Sequence, residues 1–265
     1  MPEGPEVKTV VDSLNATLKN AQVIKVEQLP TSRYYNIWIK DKKPQVPFII
    51  KEVKSKGKHI FFHLNNGYLH SHLIMTGKWL WTEGKYTRIK FHLNDGRVLY
   101  YDDQRRWGHL DWMNQTQYEA KLKTIGIDLL SEKIGLTQWK KIMRNKRLKK
   151  NKQICDLLMS QKYISGIGNY LKAEILYRAK IKPNRTLIDL TEKELEDLYQ
   201  ISLETIKASY ESKGLTIATY ETPDGQRGCF ELMVYNQKVD PLGNEVVKET
   251  FQDGRVTHWV PAVQK

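Results

Sequence analysis

The chain has 265 residues, 40% of them hydrophobic, and carries 43 Lys or Arg against 30 Asp or Glu, which leaves a formal net charge of +13. This length suffices for one or two domains with apolar cores, and the charge indicates a polyanionic partner, most commonly a nucleic acid. The two cysteines, Cys155 and Cys229, exclude a disulfide framework and a zinc site made of cysteines, and they suit a reducing compartment. Because no signal peptide and no apolar run of about 18 residues is visible, we expect an intracellular protein without membrane contact.

The first part of the chain combines one helix with many short strands. Apolar residues at helical spacing and a proline in the first turn predict an amphipathic helix over residues 4–19. Beyond it the hydrophobic period changes to two, with turn sequences such as Asn66-Gly67 and Asp95-Gly96 between the segments. The predicted strands are Gln22–Gln28, Pro47–Val53, His59–Leu64, Tyr68–Met75, Thr87–Leu93 and Arg97–Tyr101. Such a series is typical of a β-sandwich or a β-barrel.

The pattern changes near residue 130. Leu136–Lys152 contains no acid and many basic residues, namely Lys140, Lys141, Arg144, Lys146, Arg147, Lys149, Lys150 and Lys152. This run fits a solvated helix face, a linker between domains, a DNA contact or a nuclear-targeting patch, and the sequence does not choose among them. Helical patterns follow at Gln153–Gln161, Tyr170–Ala179 and Glu192–Lys213, and residues 223–265 return to strand character with turns at Pro241–Asn244 and Asp253-Gly254.

The N-terminus offers a candidate nucleophile. Removal of Met1, which is usual before a small residue, exposes the secondary amine of Pro2. An α-amino group has a pKa near 8, so a useful fraction is neutral and nucleophilic at pH 7. A secondary amine that attacks a carbonyl-like carbon forms an iminium that drives elimination from the neighbouring carbon, and Glu3 is a candidate acid or base beside it. The simpler interpretation is that Pro2 has no role and that Glu3 favours the start of the helix.

A second candidate site is the turn Gly166-Ile167-Gly168-Asn169 between two predicted helices. Paired glycines permit a tight turn whose N–H groups face outward, and the helix that follows adds its positive end, so the turn is suited to a phosphate. Lys162 and Lys172 flank it, which favours a contact with a nucleic-acid backbone over an ordinary corner between helices.

Two further segments carry basic residues at the ends of strands. Lys54–Lys58 is a basic turn that leads into an apolar strand, although a lysine at such a position is commonly only solvated. In the segment Asp102–Trp107, Arg105 and Arg106 precede Trp107, a combination that suits phosphate contact and stacking or wedging in duplex DNA. A salt bridge of these arginines with Asp102 or Asp103 explains the segment equally well.

Together these segments resemble the formamidopyrimidine-DNA glycosylase/endonuclease VIII family over nearly the whole chain. Pro2–Glu6 is similar to the family's N-terminal signature, and Lys58 falls in its Gly-Lys turn. Met75-Thr76-Gly77 resembles its Met-(Ser/Thr)-Gly strand end, and residues 103–108 resemble its Asp-Pro-Arg-Arg-Phe-Gly loop. Gln161–Pro183 is similar to its helix–two-turn–helix motif, including Gly166, Gly168, Asn169 and Glu174.

The resemblance implies a bifunctional DNA glycosylase and abasic-site lyase of base excision repair that acts as a monomer on double-stranded DNA with oxidised bases or abasic sites. Its catalytic residues are then Pro2, Glu3 and Lys58, supported by Glu6 and Glu174. Asn169, Gly168, Arg255 and Lys152 contact the DNA, and Met75, Arg105 and Trp107 fill the space that the flipped nucleotide leaves. The implied fold is α+β, with an N-terminal β-sandwich over residues 1–130, a helix–two-turn–helix domain over 131–222 and a C-terminal β-hairpin over 223–265.

The chain also departs from the family pattern. Most members close the C-terminus with a four-cysteine zinc finger, but here Val260 and Val263 occupy cysteine positions and Gln237–Val247 contains no cysteine. We therefore expect no zinc or other cofactor and a zincless finger like that of vertebrate-type Nei-like enzymes. Cys155 stands where the purine-directed bacterial branch has a lysine, so that phosphate or lesion contact is either missing or supplied by Lys152. By analogy we expect oxidised pyrimidines and formamidopyrimidines as substrates more than 8-oxoguanine.

Two other interpretations stay open. A non-catalytic protein that binds nucleic acid through its helix–two-turn–helix motif explains the charge and the glycine turn, but not the order Pro2-Glu3 at the N-terminus. A degenerate glycosylase that binds lesions without cutting differs only in whether Pro2 is exposed as an amine. The cellular compartment is the nucleus or wherever the DNA lies.

Overall fold

A computed structural model describes residues 1–29, 45–145, 148, 151–215, 222–225 and 227–265. The chain forms two compact units. The first unit comprises residues 1–124 and 212–229, and the second unit comprises residues 125–211 and 230–265. The predicted division into domains 1–130, 131–222 and 223–265 stays a prediction. In the structure, residues 212–229 belong to the N-terminal unit, and residues 230–265 belong to the unit that contains the helices.

The first unit begins with helix α1 (Gly4–Leu18), which follows the predicted helix within one residue at its end. Its apolar stripe, including Val7, Leu14 and Leu18, is buried in the core of the unit, as its helical spacing requires. Eight strands and one helix follow: β1 (Ala21–Gln28), β2 (Phe48–Lys56), β3 (His59–Leu64), β4 (Tyr68–His72), β5 (Gly77–Leu80), β6 (Thr87–Leu93), β7 (Val98–Asp103), β8 (His109–Met113) and α2 (Gln115–Thr124).

The eight strands form a β-sandwich, which confirms the predicted architecture. They pair in the order β5-β7-β6-β1-β2-β3-β4-β8, and every pairing is antiparallel. Strands β3 and β5 lie far apart in this order, yet the rings of Phe62 and Trp79 are 4.9 Å apart. The indole N–H of Trp79 also donates to Ser71 of β4 at 3.1 Å. The sheet therefore folds over on itself, with its two halves packed face to face on one apolar core.

The second unit is mainly helical. Its elements are β9 (Ile127–Asp128), α3 (Leu136–Met143), α4 (Ile154–Met159), β10 (Ile164–Ser165), α5 (Asn169–Arg178), α6 (Glu192–Glu211), β11 (Val247–Thr250) and β12 (Val256–Trp259). Short strands β9 and β10 pair in parallel, and β11 and β12 form the predicted C-terminal hairpin. Ala173 and Tyr177 of α5 pack with Val234, Val246 and Val260 in a small apolar cluster.

Part of the basic run at Leu136–Lys152 is a packed helix. Trp139 and Met143 of α3 are buried, and the indole N–H of Trp139 donates to the Leu195 carbonyl at 3.0 Å. Arg144 donates to the carbonyl oxygens of Leu187 and Leu190. The linker interpretation is therefore wrong for this part, because Trp139 and Met143 dock α3 in the unit. A helix with a solvated basic face fits it, since Lys141 is exposed. Lys146, Arg147, Lys149 and Lys150 lie outside the described residues.

None of the helices that the structure describes has the length and the apolar character needed to cross a bilayer.

Candidate active site

The N-terminus lies in a buried, charged environment. Pro2 is buried, and Glu3 and Glu6 are 4% and 0% exposed. The backbone N–H of Glu3 donates to Oε2 of Glu6 at 2.8 Å, and the Glu3 side chain accepts the N–H of Glu6 in return, so the two residues form a capping box at the start of α1. Glu3 thus stabilises the start of α1, as the simpler of the two interpretations of Glu3 predicts. It also places a carboxylate beside the N-terminal amine.

Several charges act on that amine. Burial is the largest influence and lowers the pKa of the Met1 amine below its ordinary value of 8.0. The carboxylates of Glu3 and Glu6 raise this pKa, while the positive charges of Lys58 and Arg105 lower it. Lys58 is itself only 5% exposed and follows Gly57, whose φ of 56° permits the tight turn between β2 and β3. The structure therefore brings Pro2, Glu3, Lys58 and Arg105 into one electrostatic neighbourhood.

The turn before β5 and the loop after β7 are joined by a hydrogen-bond network. Thr76 Oγ1 donates to Asp103 Oδ1 at 2.5 Å and accepts the backbone N–H of Arg105 at 3.1 Å. The other oxygen of Asp103 accepts the N–H of Gly108 at 2.8 Å, which closes the loop at its far end. Asp103 is completely buried. These bonds hold the loop that carries Arg105 and Trp107 against the turn that carries Met75 and Thr76.

The side chains on this loop are presented outward. Trp107 is 50% exposed, and the guanidinium of Arg105 lies over its ring at 5.2 Å. Arg106 has a positive φ of 58°. Ile74, which directly precedes Met75, has a positive φ of 53°. A β-branched residue in this region of φ is strained, and such strain is commonly found at functional sites. The structure therefore places Arg105 against Trp107, two of the three predicted space-filling residues.

In the second unit, Gln161 holds the glycine turn. Its amide donates to the Ile167 carbonyl at 2.7 Å and accepts the N–H of Gly166 at 3.0 Å. Gly166 has a φ of 93°, which favours glycine, and Gly168 is the N-cap of α5. Asn169, the first residue of α5, donates from Nδ2 to the Val256 carbonyl at 2.9 Å. The turn is thus a rigid helix N-terminus, as a phosphate-binding role requires.

Glu174 supports a backbone segment rather than a surface contact. It is completely buried, and its carboxylate accepts the N–H groups of Met233, Val234 and Tyr235 at 3.0–3.1 Å. Arg178 donates to its second oxygen at 2.6 Å. A buried carboxylate with this many donors fixes the chain just before the hairpin.

The predicted basic contacts of the second unit fall into different environments. Arg255 is exposed in the turn between β11 and β12. Lys152 is partly buried and pairs with Asp156 at 2.6 Å. Lys172 is completely buried and pairs with Asp253. The prediction that Lys172 flanks the glycine turn as a backbone contact is therefore wrong, because its position on α5 points it into the unit.

The positions that carry cysteines in most family members are apolar here. Val260 is completely buried in the cluster with Ala173 and Tyr177, and Val263 packs against that cluster. The side chain of Gln264 accepts the Val260 N–H at 2.7 Å and donates to the Ile181 carbonyl at 2.9 Å. These side chains offer no donor set for zinc, and within the described ranges no group of three or more His, Cys, Asp or Glu is placed to hold a metal ion.

Three residues that hold the loops of the site were not singled out by the sequence analysis as residues with a role in it. Asp103, Gln161 and Asp253 each lie in or beside a motif that the sequence analysis singled out, and each is a buried or partly buried polar side chain that bonds to the backbone of a loop. Only their position beside glycines or arginines marks them in the sequence.

Comparison with known proteins gives one consistent family. Models of the formamidopyrimidine-DNA glycosylase N-terminal domain, its helix–two-turn–helix domain and its C-terminal domain match residues 1–110, 125–221 and 225–265. The chain is 32% identical over 286 residues to a formamidopyrimidine-DNA glycosylase of Pelotomaculum thermopropionicum, with 100% of this chain and 99% of the relative covered. It is 30% identical to that of Lactiplantibacillus plantarum, with both chains fully covered at 100%.

Solved structures of the same family have the same fold. The Lactococcus lactis enzyme in complex with a DNA containing Fapy-dG superposes with a TM-score of 0.87, at 26% identity and 100% coverage of both chains. The same enzyme in complex with DNA containing an abasic site gives a TM-score of 0.86, at 26% identity and 99% coverage of both chains. The protein of Thermus thermophilus gives 0.85, at 29% identity, with 99% of this chain and 98% of that chain covered.

Proposed function

The chain belongs to the formamidopyrimidine-DNA glycosylase family and is a DNA glycosylase of base excision repair, and from this premise we propose that it removes oxidised pyrimidines and formamidopyrimidines from duplex DNA with Pro2 as the nucleophile. The observation that carries this proposal is the buried amino terminus beside Glu3, Glu6, Lys58 and Arg105. Relatives of similar fold are known in complex with DNA that contains Fapy-dG or an oxidised pyrimidine, which supports the substrate class. The expected closeness to vertebrate-type Nei-like enzymes stays a prediction.

The first chemical step replaces the damaged base by the enzyme. Removal of Met1 converts the Pro2 nitrogen from an amide into a secondary amine. Its lone pair forms a bond to C1′ of the flipped nucleotide while the bond from C1′ to the base breaks, and the base leaves with that electron pair and takes up a proton. The nitrogen then loses its own proton, which restores its lone pair. Glu3 is placed to exchange protons with the leaving base and with the ring oxygen of the sugar.

Elimination follows from the iminium. When the ring oxygen leaves C1′ and is protonated, the nitrogen and C1′ form a positively charged double bond that withdraws electrons from C2′. Loss of a C2′ proton then expels the 3′ phosphate, and a second elimination expels the 5′ phosphate. Burial, together with Lys58 and Arg105, lowers the pKa of the Met1 amine. The same surroundings should lower the pKa of the Pro2 amine once Met1 is removed, which leaves a larger neutral fraction available for attack.

The remaining residues hold the DNA. Lys58, Asn169 and Arg255 bind phosphates near the lesion, with Gly168 and Lys152 as further backbone contacts. Met75, Arg105 and Trp107 occupy the space left by the flipped nucleotide, and this role is supported by the bonds from Thr76 and Asp103 that hold their loop.

The hairpin folds without zinc in this proposal. Val260 and Val263 pack where metal ligands lie in other members, and Asp240 caps the preceding turn by accepting the N–H groups of Leu242 and Asn244 at 2.9 and 2.8 Å. Tyr177 of α5 donates to the second oxygen of Asp240 at 3.1 Å. Purification in a strong chelator should therefore leave DNA binding and the thermal midpoint unchanged, and a loss of either on chelation would contradict this part.

Borohydride trapping tests the nucleophile. The mature protein is incubated with a duplex that contains an abasic site or thymine glycol, together with borohydride, and a covalent adduct is sought on a denaturing gel. We expect an adduct that digestion and mass spectrometry place on Pro2. Pro2→Gly should weaken both base release and strand cleavage strongly, whereas Pro241→Gly, at an exposed turn position, should leave both unchanged. An adduct-free wild type that still binds the lesion would favour the non-catalytic binding protein instead.

A further inference from the structure

A completely buried ion pair joins α5 to the turn of the C-terminal hairpin. The side chains of Lys172 and Asp253 are 0% and 2% exposed, and they are in direct contact. Burial of a lysine removes its hydration, and a buried ion pair is in general no more stabilising than apolar residues of the same shape. Its best-documented use is to fix one arrangement of the chain against others.

The arrangement that this pair fixes is the backbone at Arg255. One oxygen of Asp253 contacts Lys172, and the other accepts the backbone N–H of Arg255 at 3.0 Å. On the other side of Arg255, the carbonyl of Val256 accepts the side-chain amide of Asn169 at 2.9 Å. Asn169 and Lys172 are three residues apart in α5 and thus share one face of that helix. One face of α5 therefore holds the turn both before and after Arg255.

The rest of the turn needs such support. The hairpin ladder ends with the pair Thr250 and Val256, so residues 251–255 have no partner strand among the described residues. The side chain of Gln153 accepts the Gln252 N–H at 3.1 Å, which adds one contact from the start of α4. The Arg255 side chain itself is exposed. Its direction is therefore set through its backbone, and the backbone is set by Asp253 and Asn169.

We propose that Lys172 and Asp253 are positioning residues that hold Arg255 in the orientation in which it binds the DNA backbone. This inference rests on the proposed function only in taking Arg255 as a phosphate contact. Arg255 is the residue that touches DNA, and the ion pair acts through it.

The test compares the salt dependence of DNA binding among variants. The ligand is a duplex with a tetrahydrofuran abasic analogue, which cannot form an iminium, so binding is measured apart from the chemistry. The neutral pair Lys172→Met with Asp253→Asn keeps the side-chain shapes and leaves no single buried charge. The matched control is Lys193→Met with Asp197→Asn, which removes an exposed ion pair of the same unit, at 2.7 Å with 78% and 46% exposure.

A phosphate contact contributes about 1 to the slope of log Kd against log salt. We expect Arg255→Ala and the neutral pair each to reduce this slope by about 1, and the neutral pair to cause no further reduction when Arg255 is already alanine. The exposed control pair should keep the wild-type slope. The proposal is overturned if the neutral-pair variant folds like the wild type and keeps the wild-type slope. It is also overturned if the slope reductions caused by the neutral pair and by Arg255→Ala add up in the combined variant.

A second measurement needs no substitution. In the wild type, the backbone N–H of Arg255 should exchange with deuterium slowly, because Lys172 holds its acceptor Asp253 in place. Exchange at the rate of a free amide would overturn the proposal, even if the neutral-pair variant failed to fold. Failure of the proposed function is a separate result. It would appear as a wild-type protein that gives no borohydride adduct with an abasic duplex, whatever the salt slopes are.

Discussion

Oε1 of Glu6 accepts a 2.7 Å hydrogen bond from the backbone N–H of Leu215, which lies 209 residues further along the chain. The second oxygen of the same buried carboxylate accepts the N–H of Glu3. One side chain therefore fixes the first residues of α1 to the segment that follows α6, inside the first unit. Any change that displaces Glu6 should disturb the place where the N-terminal amine lies.

Gly214→Ala should make this displacement. Gly214 has a φ of 81°, and an added Cβ would lie 2.5 Å from Oε1 of Glu6. We expect a loss of about 1–3 kcal/mol in the free energy of unfolding and slower trapping by borohydride. Gly96→Ala is the control, since Gly96 has a φ of 86° and open space around the added Cβ. Gly96→Ala should lower the free energy of unfolding only by the backbone strain and should leave the rate of borohydride trapping unchanged. Equal effects of Gly214→Ala and Gly96→Ala would contradict the role given to Glu6.

Glu174→Gln should destabilise the second unit. The buried carboxylate accepts three backbone N–H groups, and an amide at this position presents its own N–H₂ to some of those donors. We expect a loss of about 1–3 kcal/mol, measured by denaturant unfolding, because at least one donor stays buried without an acceptor. Glu231→Gln, at an exposed position two residues before the segment, should change the stability little. Similar costs for the two variants would show that the carboxylate is not needed.

The rate of adduct formation should follow the neutral fraction of the terminal amine. Burial lowers the pKa of the Met1 amine below its ordinary value, and we expect the same surroundings to act on the Pro2 amine once Met1 is removed. The rate should therefore rise with pH and then level off. Arg105→Gln removes a positive charge that lowers the pKa, so its rate profile should move to higher pH. Glu6→Gln removes a negative charge that raises the pKa, so its profile should move to lower pH. The check is single-turnover trapping at saturating DNA, and shifts of the same sign in both variants would be incompatible with this electrostatic account.

Acid should destabilise the first unit through its stacked histidines. The rings of His59 and His72 are 4.4 Å apart, and burial and neighbouring imidazoles lower their pKa values from 6.5 to about 2 and about 3. The unfolded chain therefore binds more protons below pH 6.5, and stability should fall by at most about 1.4 kcal/mol per pH unit for each histidine as the pH decreases. His59→Phe should reduce this slope between pH 6.5 and 4.5, before most carboxylates titrate. His92→Phe, which removes a surface contact with Glu27, should keep it, and a slope unaltered by His59→Phe would argue against the assignment.

The two cysteines should differ in reactivity. Burial raises the pKa of the Cys155 thiol to about 12, whereas Cys229 is exposed. Since the thiolate is the reactive form, iodoacetamide at pH 8 should modify Cys229 alone in the native protein and both residues after denaturation. Mass spectrometry of tryptic peptides reads this directly, with Cys229→Ser as the control that should stay unmodified. Rapid native labelling of Cys155 would mean that α4 opens readily.

Much of the fold follows from local patterns in the sequence. The helical spacing of Val7, Leu14 and Leu18 places α1, and the alternation in His59–Leu64 and Thr87–Leu93 places β3 and β6 at their observed bounds. The motifs around Pro2, Lys58 and Gly166–Asn169 identify the family. Strands β5 and β8 and helix α2 were missed. Their segments are short or polar, and α2 has no buried residue at all, so the hydrophobic period that marks the other elements is weak there.

By itself, then, the sequence determined the secondary structure of the strongly periodic segments and the family, and it singled out Pro2 as the proposed nucleophile. Only the tertiary structure decided which partner each buried polar side chain has. Lys172 reads as a surface cation beside a glycine turn but is buried against Asp253, and Glu6 and Glu174 hold backbone segments distant in sequence. The physical reason is that periodicity is a property of neighbours along the chain, whereas the partner of a buried charge is chosen by packing between segments far apart in sequence.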